Sequence, residues 1–397
     1  MIEFPPSDQS VFAMMSELAV RHGAINLGQG TPETPTPGPV ILAATEAMHK
    51  GLNQYSASPG VLELREEVAS TGQLSGMYDP ATEITIFAGC TEALSATVLA
   101  LASSGDEVLA FEPYYDFYPV FAAMAGARFV SVPLRDNGAH FCFDADALRR
   151  RLTQRSRILL LNTPHNPTGH VFSESELAQI AEIATESNLI LICDEVYESY
   201  TYSVPHRSIA ALPGMRKRTI VASSASKTFH ATGWRVGWTR ADKALSERVR
   251  ACHAFTTYCA PTPLQYGIAA GLRLLRESSY LDDLRSNFCH RRDYLVEALR
   301  ETGFDPMVPE GTFFVLARRG RWQAGDALDF CRELTISGGV AALPVLSFFT
   351  DRRVAQPYVR FAFCRSDDVL EAAGNRLLNF ARSRPSGERG QRASILV

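Results

Sequence analysis

The stretch Ser223-Ser224-Ala225-Ser226-Lys227-Thr228-Phe229-His230-Ala231-Thr232-Gly233-Trp234-Arg235 decides how the chain is read. The β-branched apolar run Thr219-Ile220-Val221 leads into it and predicts a buried strand. That strand runs out into small hydroxylated residues, a lysine, and a glycine-bearing loop closed by Arg235, eight residues past the lysine. Of the 39 basic residues only four are lysine (Lys50, Lys217, Lys227 and Lys243), the other 35 being arginine. A chain that uses arginine wherever charge alone is wanted keeps a lysine between Ser226 and Thr228. An amine forms an imine with an aldehyde, which a guanidinium cannot do. The other three lysines read as solvated surface residues.

Serine and arginine beside that amine can hold a phosphate. An aldehyde that is also a phosphate ester is pyridoxal phosphate, held in proteins by a lysine Schiff base and a carboxylate on its pyridinium nitrogen. The rest of the chain supplies matching parts. Candidate strands are Glu83–Ala88, Glu107–Phe111, Arg128–Val132, Arg157–Leu161, Leu189–Cys193, Thr219–Ala222 and Arg235–Thr239. Candidate helices include Thr91–Ala102, Phe117–Ala125, Ser173–Ser187 and Asp242–Phe255. Strands apolar on both faces, alternating with helices, predict an α/β domain with a mostly parallel sheet. Ligands of such sheets sit beyond the carboxyl ends of the strands.

The strand ends carry chemistry. Gly89-Cys90-Thr91 opens a helix, where backbone N–H groups meet phosphate. Tyr114-Tyr115-Asp116 supplies aromatic faces, or core packing. Asn162–Gly169 supplies amides, or simply a turn. Asp194-Glu195-Val196-Tyr197 supplies a carboxylate and a phenol, or a solvated strand end. His165, without metal partners, reads as structural. Residues 26–39, rich in Pro and Gly, form a linker or a rigid loop that brings backbone close to a ligand. Val11–Arg21 has a helical pattern and reads as an N-terminal arm.

Composition bounds the function. A chain of 397 residues with 46% hydrophobic and 21% charged residues has a composition ordinary for a globular protein such as an enzyme, with room for one large and one smaller domain. A net charge of −4 and a pI near 6.2 give no nucleic-acid footprint. Eight cysteines without a C-x-x-C pair or zinc spacing read as reduced thiols. No signal-peptide pattern and no apolar run of membrane length is seen, so a cytoplasmic location is expected.

In combination, Asn26–Gly30, Asn53-Gln54-Tyr55, Gly89–Leu94, Asn162–Gly169, Asp194–Tyr197, Ser224–Arg235 and Arg360-Phe361 make the sequence resemble the fold-type-I, class I/II aminotransferases. The resemblance runs from Ile25 to about Phe380, and the nearest group is that of kynurenine, glutamine and methionine aminotransferases. It implies an α/β fold of the aspartate aminotransferase type, pyridoxal phosphate as cofactor, and amino acid and 2-oxo acid substrates. It also implies a homodimer with shared active sites, without nucleic-acid or membrane partners. The implied division is an arm and small-domain segment at 1–39, a large domain at 40–286, a small domain at 287–382 and a flexible tail at 383–397.

The same resemblance implies residue roles. Lys227 carries the Schiff base and moves the Cα proton, Asp194 pairs with the pyridinium N–H, and Tyr197 and Asn166 meet the phenolic oxygen. Tyr115 stacks on the ring. Cys90, Thr91, Ser224 and Arg235 hold the phosphate, with Tyr55 reaching the neighbouring subunit's cofactor. Arg360 takes the substrate carboxylate, helped by Asn166 and the Gly30 backbone. Tyr258 lines the partner's pocket. The chain departs from the group at Thr31, where an aromatic is usual, at Glu33-Thr34, where Asp-Phe is frequent, and at His230 and Cys259. The pocket is expected to be wider and more polar, with Glu33 either meeting a cationic or amide-bearing substrate side chain or pointing to solvent. Two further readings share or borrow the site. One is a β-eliminating C–S lyase using Lys227 and Asp194. The other is the effector domain of a transcriptional regulator, which would need a fused DNA-binding segment that this N-terminus is too short to hold.

Overall fold

The computed structural model describes residues 11–384. Seven strands form the central sheet: β1 Ile84–Phe87, β2 Glu107–Glu112, β3 Arg128–Pro133, β4 Ser156–Asn162, β5 Ile190–Asp194, β6 Thr219–Ser224 and β7 Gly237–Ala241. Their order is β1-β7-β6-β5-β4-β2-β3. β2 through β6 pair in parallel, and β7 runs antiparallel to both β1 and β6. The α/β expectation holds. The last strand starts two residues later than the apolar pattern predicts, because Arg235 sits in the left-handed region at φ 52 and the loop must finish first.

Helices cover both faces. Cys90–Leu101 packs on Lys243–Thr256 on one side; Gly38–His49 lies against Thr262–Glu277 on the other. Central residues such as Leu159, Leu161, Leu191 and Val221 are wholly buried, which is why these strands show no polar alternation. Ser173 begins Glu174–Glu186 with a capping box: its hydroxyl accepts from Glu176 N while the Glu176 carboxylate accepts from Ser173 N.

A second, four-stranded antiparallel sheet follows: β8 Asp305–Pro306, β9 Phe314–Arg318, β10 Leu343–Pro344 and β11 Tyr358–Ala362, in the order β8-β9-β11-β10. Helices Tyr280–Glu301, Ala327–Gly338 and Asp367–Ser383 accompany it, and the arm Val11–Arg21 packs on Ala327–Gly338. Phe313, Phe361, Phe363 and Leu377 fill a core of their own there. Among the described residues no helix is long and apolar enough to cross a membrane. Residues 385–397, most of the expected tail, lie outside the described residues.

Candidate active site

The carboxyl ends of β4, β5 and β6 and the strand β11 face one cavity of about 260 Å³. β5 ends in Asp194, whose Oδ2 accepts from Tyr118 Oη at 2.8 Å and whose Oδ1 accepts from Val196 N at 3.4 Å. The Cys90 thiol lies 3.7 Å from Oδ1. Asn162 is paired with Asp194 across the sheet, and its amide donates to Asp194 O at 2.8 Å. Asn162 Oδ1 also accepts from Asn166 N at 2.7 Å, so one side chain fixes both the carboxylate strand and the amide loop.

β6 delivers Lys227 on a single turn, Ala225–Thr228. Tyr200 Oη donates to the lysine's carbonyl at 2.8 Å, and Lys227 Nζ donates to Gly30 O at 3.1 Å. Gly30 admits this approach because a Cβ there would strike the Phe314 ring. Arg360 on β11 is 2% exposed; Nη1 donates to Asn166 Oδ1 at 2.9 Å and Nη2 to Gly28 O at 3.0 Å. Its guanidinium lies 3.9 Å over the Phe314 ring, with Phe12 and Phe348 each at 5.4 Å. Tyr197 meets Phe313 and Phe314 edge-on.

Opposite Asp194, helix Cys90–Leu101 begins at Gly89 (φ 87) with no side-chain cap, leaving its first N–H groups free for an anion. Only glycine fits there, since a Cβ would collide with the Arg235 guanidinium. Arg235 Nη1 donates to Thr232 O at 3.1 Å. Ser224 Oγ accepts from Ser226 N at 3.2 Å, while the buried Ser226 Oγ has no partner.

Burial sets the protonation of these groups. It lowers Lys227 to about 8, with Arg360 and Arg235 adding to the effect against Cys364 and Asp194. It lowers Arg360 to about 10, opposed chiefly by Tyr197 and Asp116. It raises Asp194, opposed by hydrogen bonds from Tyr118, Val196 and Cys90 and by the Lys227 charge. Burial drives the Tyr197 phenol far up as well.

The set fits pyridoxal phosphate. A buried carboxylate met directly by neutral donors suits a ring N–H. An uncapped helix start, Arg235 and the orphaned Ser226 hydroxyl suit a phosphate. The cavity brings together Gly30, Cys90, Thr91, Tyr115, Asn166, Asp194, Tyr197, Ser224, Lys227, Arg235 and Arg360. Tyr55 and Tyr258 stand apart, 83% and 47% exposed, ring edge against ring at 5.5 Å. Glu33 corrects the expectation of a free carboxylate in the pocket. Its Oε1 pairs with Arg365 Nε at 3.3 Å, and Oε2 accepts from Ser366 N at 3.3 Å. His230 (φ 54) stacks on Phe288, and burial lowers it to about 4. His165 is buried against Thr168, as expected of a structural histidine.

Sequence reading missed Tyr118, Asn162, Ser226, Phe12 and Phe314. Ser226 and Asn162 were within reach, standing inside stretches already singled out. Phe12 and Phe314 arrive from far along the chain and carry no local signal.

The model of aminotransferase class I and II matches residues 22–377. The chain is 37% identical to the methionine aminotransferase of Escherichia coli, covering 94% of this chain and 97% of that protein. It is 32% identical to human kynurenine–oxoglutarate transaminase 1, covering 93% and 95%. The solved N-succinyldiaminopimelate aminotransferase of Mycobacterium tuberculosis superposes with a TM-score of 0.90 at 43% identity, covering 94% of this chain and 98% of that one. These relatives are named as aminotransferases and none of them as a lyase. This chain therefore belongs to the class I and II aminotransferase family and is an aminotransferase that works with pyridoxal phosphate.

Proposed function

We propose that this aminotransferase exchanges the amino group between an L-amino acid whose side chain carries no positive charge and a 2-oxo acid, in two half-reactions at one cavity. The observation that carries the reading is the buried Arg360 guanidinium in the same cavity as the Lys227 amine. It is anchored by Asn166 and Gly28 and has its Nε without a partner. A buried guanidinium with spare donors suits an α-carboxylate.

When bound, pyridoxal phosphate supplies the electron-accepting ring that takes up the pair released at Cα. The chain's own groups do the rest. Neutral Lys227 Nζ removes the Cα proton and returns it. Asp194 would accept from the ring N–H and keep it protonated. Tyr197 and Asn166 would meet the phenolic oxygen, and Tyr115 would cover a ring face. Cys90 and Thr91 through backbone N–H, with Ser224, Ser226 and Arg235, would hold the phosphate. The walls at Phe12, Leu94 and Phe314 are apolar, and Asp194 is the only acidic residue of the lining among the described residues. A cationic substrate side chain finds no partner there. The names of the methionine and kynurenine enzymes fit the same class.

The arm, large and small parts are proposed to divide at 39/40 and 286/287. A homodimer is proposed because Ile41, Leu42, Tyr55, Leu62, Phe255 and Tyr258 are exposed. Tyr55 would then reach the partner's phosphate and Tyr258 its pocket. A cytoplasmic location is part of the same proposal. The test is a single-turnover absorbance titration of the holoenzyme with methionine, phenylalanine, glutamine, arginine and a cysteine S-conjugate. Conversion by methionine and phenylalanine, reversed by a 2-oxo acid, is expected. Preference for arginine overturns the substrate class. Pyruvate and ammonia from the S-conjugate without reversible conversion overturn the exchange itself.

A further inference from the structure

We propose that a second cavity, behind the lysine loop, is a binding site for a small monocarboxylate with an apolar body. It encloses about 530 Å³, within the range of small-molecule sites, and shares no lining residue with the active-site cavity. Its floor is β7. Trp238 and Arg240 there are 3% and 2% exposed, and Trp238 Nε1 and Arg240 Nε have no hydrogen-bond partner. Arg240 is held in place by Nη2, which donates to Val68 O at 2.9 Å and Thr71 O at 3.0 Å. One wall is His206. Its Nε2 lies 2.9 Å from Glu195 Oε2, whose other oxygen accepts from Ser208 Oγ at 2.7 Å, and its Nδ1 is buried without a partner. Arg285 also lines the cavity, donating through Nε to Ser199 O at 3.3 Å, and has no carboxylate partner among the described residues.

Buried donors without acceptors are costly, and native folds rarely leave several around one space. Two such nitrogens, Trp238 Nε1 and Arg240 Nε, belong to residues lining this cavity, and Arg285 adds a guanidinium. The charge balance fits a single anionic group. Arg276 at the rim is neutralised by Glu67 and His206 by Glu195, leaving Arg240 and Arg285 against Glu198, which accepts from Ser223 Oγ at 2.7 Å. Burial would lower His206, but Glu195 outweighs it and raises the group above its ordinary value. Phe229, Leu272, Leu275 and Leu281 supply apolar walls for the remainder of the ligand, and exposed Gly72, Gln73 and Ser203 mark an open mouth.

The site adjoins the catalytic loop. Ser199 Oγ lies 3.0 Å from Thr228 Oγ1, and Tyr200 Oη holds the Lys227 carbonyl. A ligand drawn to Arg285 therefore sits against the turn that supports the lysine.

The test is calorimetric titration of the holoenzyme with benzoate, with inorganic phosphate and benzylamine as controls, in the wild type and in Arg360→Gln, Arg285→Gln, Trp238→Phe and Glu198→Gln. Benzoate also reaches the substrate site, so the site proposed here is the one retained in R360Q. Its affinity is expected to fall about tenfold in R285Q and W238F, each lacking one donor, and to rise in E198Q. Benzylamine should not bind there, and phosphate should bind more weakly than benzoate. Loss of all benzoate binding in R360Q, or binding indifferent to R285Q and W238F, would show that the cavity holds only water. Tighter binding of benzylamine would reverse the proposed charge.

Discussion

The segment 162–170 has a charged cluster at each end, and the two are built on opposite plans. At the Asn162 end, Asp194 accepts directly from a phenol and a backbone N–H beside a thiol, Arg360 reaches an amide oxygen and a carbonyl, and Lys227 reaches a carbonyl. At the His170 end every charge meets its opposite. His170 Nε2 lies 3.1 Å from Glu176 Oε1 and Nδ1 lies 3.5 Å from Glu310 Oε2, while Glu310 also accepts from Val171 N. Burial would lower His170, yet the two carboxylates raise it to about 9, and Glu176 falls to about 2. The first end leaves counter-charge to be supplied by a cofactor and substrate; the second pairs its charges within the protein, although His170 Nδ1 makes no hydrogen bond, and ties the loop to the segment before β9. Unfinished pairing in a buried place marks function here, and finished pairing marks structure.

The largest effect should come from the first end. Lys227→Ala is expected to lower kcat by about a thousandfold or more, since no other amine lies in the cavity among the described residues. Its melting temperature should stay level or rise, because the variant no longer buries an amine. Loss of activity together with a large fall in melting temperature would erase the contrast between the two ends.

The reverse pattern is expected at the second end. His170→Gln leaves Glu176 and Glu310 without their cation and should cost about 3 kcal/mol of folding stability, measured by urea unfolding, with kcat largely kept. The linkage has a definite sign. His170 is raised on folding, so its contribution is complete below about 6.5 and fades as pH climbs through about 9. Glu176 is lowered, so its contribution is complete above its ordinary value near 4.5 and is lost as pH falls towards about 2. The wild type should lose stability between pH 6.5 and 9 by an increment that H170Q lacks.

A smaller, graded effect belongs to Lys227 again. Only the neutral amine attacks the aldehyde, and burial lowers this group to about 8. Capture of pyridoxal phosphate by cofactor-free protein, followed by stopped-flow absorbance, should speed up about tenfold per pH unit below 8 and level off above. A midpoint near the ordinary lysine value of 10.5 would mean that the amine is not desolvated.

The first end was largely legible in the sequence because a parallel sheet puts its chemistry at strand ends, where Asp194, Asn166 and Lys227 interrupt apolar runs. The apolar runs marked all seven central strands, but not the antiparallel course of β7. That direction follows from the left-handed Arg235 turning the chain back, which no hydrophobic period encodes. Glu33 was misread because its partner, Arg365, lies more than 300 residues away. The His170 cluster went unread for the same reason. Glu176 lies inside the candidate helix Ser173–Ser187, but Glu310 comes from the other sheet's approach.

Tyr118 tests the comparison most finely. It stands at the start of a short helix, Tyr118–Met124, where nothing in the local pattern sets it apart from a core aromatic. Yet its hydroxyl makes the shortest contact of the Asp194 carboxylate, at 2.8 Å. Tyr118→Phe removes a neutral donor from a buried carboxylate whose Val196 N–H contact remains, so Asp194 rises further above its usual range. The carboxylate then holds a ring N–H less firmly at neutral pH. Affinity for pyridoxal phosphate, measured by equilibrium titration of cofactor-free protein, should fall about fivefold, equivalent to about 1 kcal/mol. The deficit should shrink as pH rises, because a higher pH restores the charge that the missing hydroxyl no longer stabilises. A deficit that is the same at every pH would instead assign Tyr118 to packing, and would move it from the unfinished cluster to the finished one.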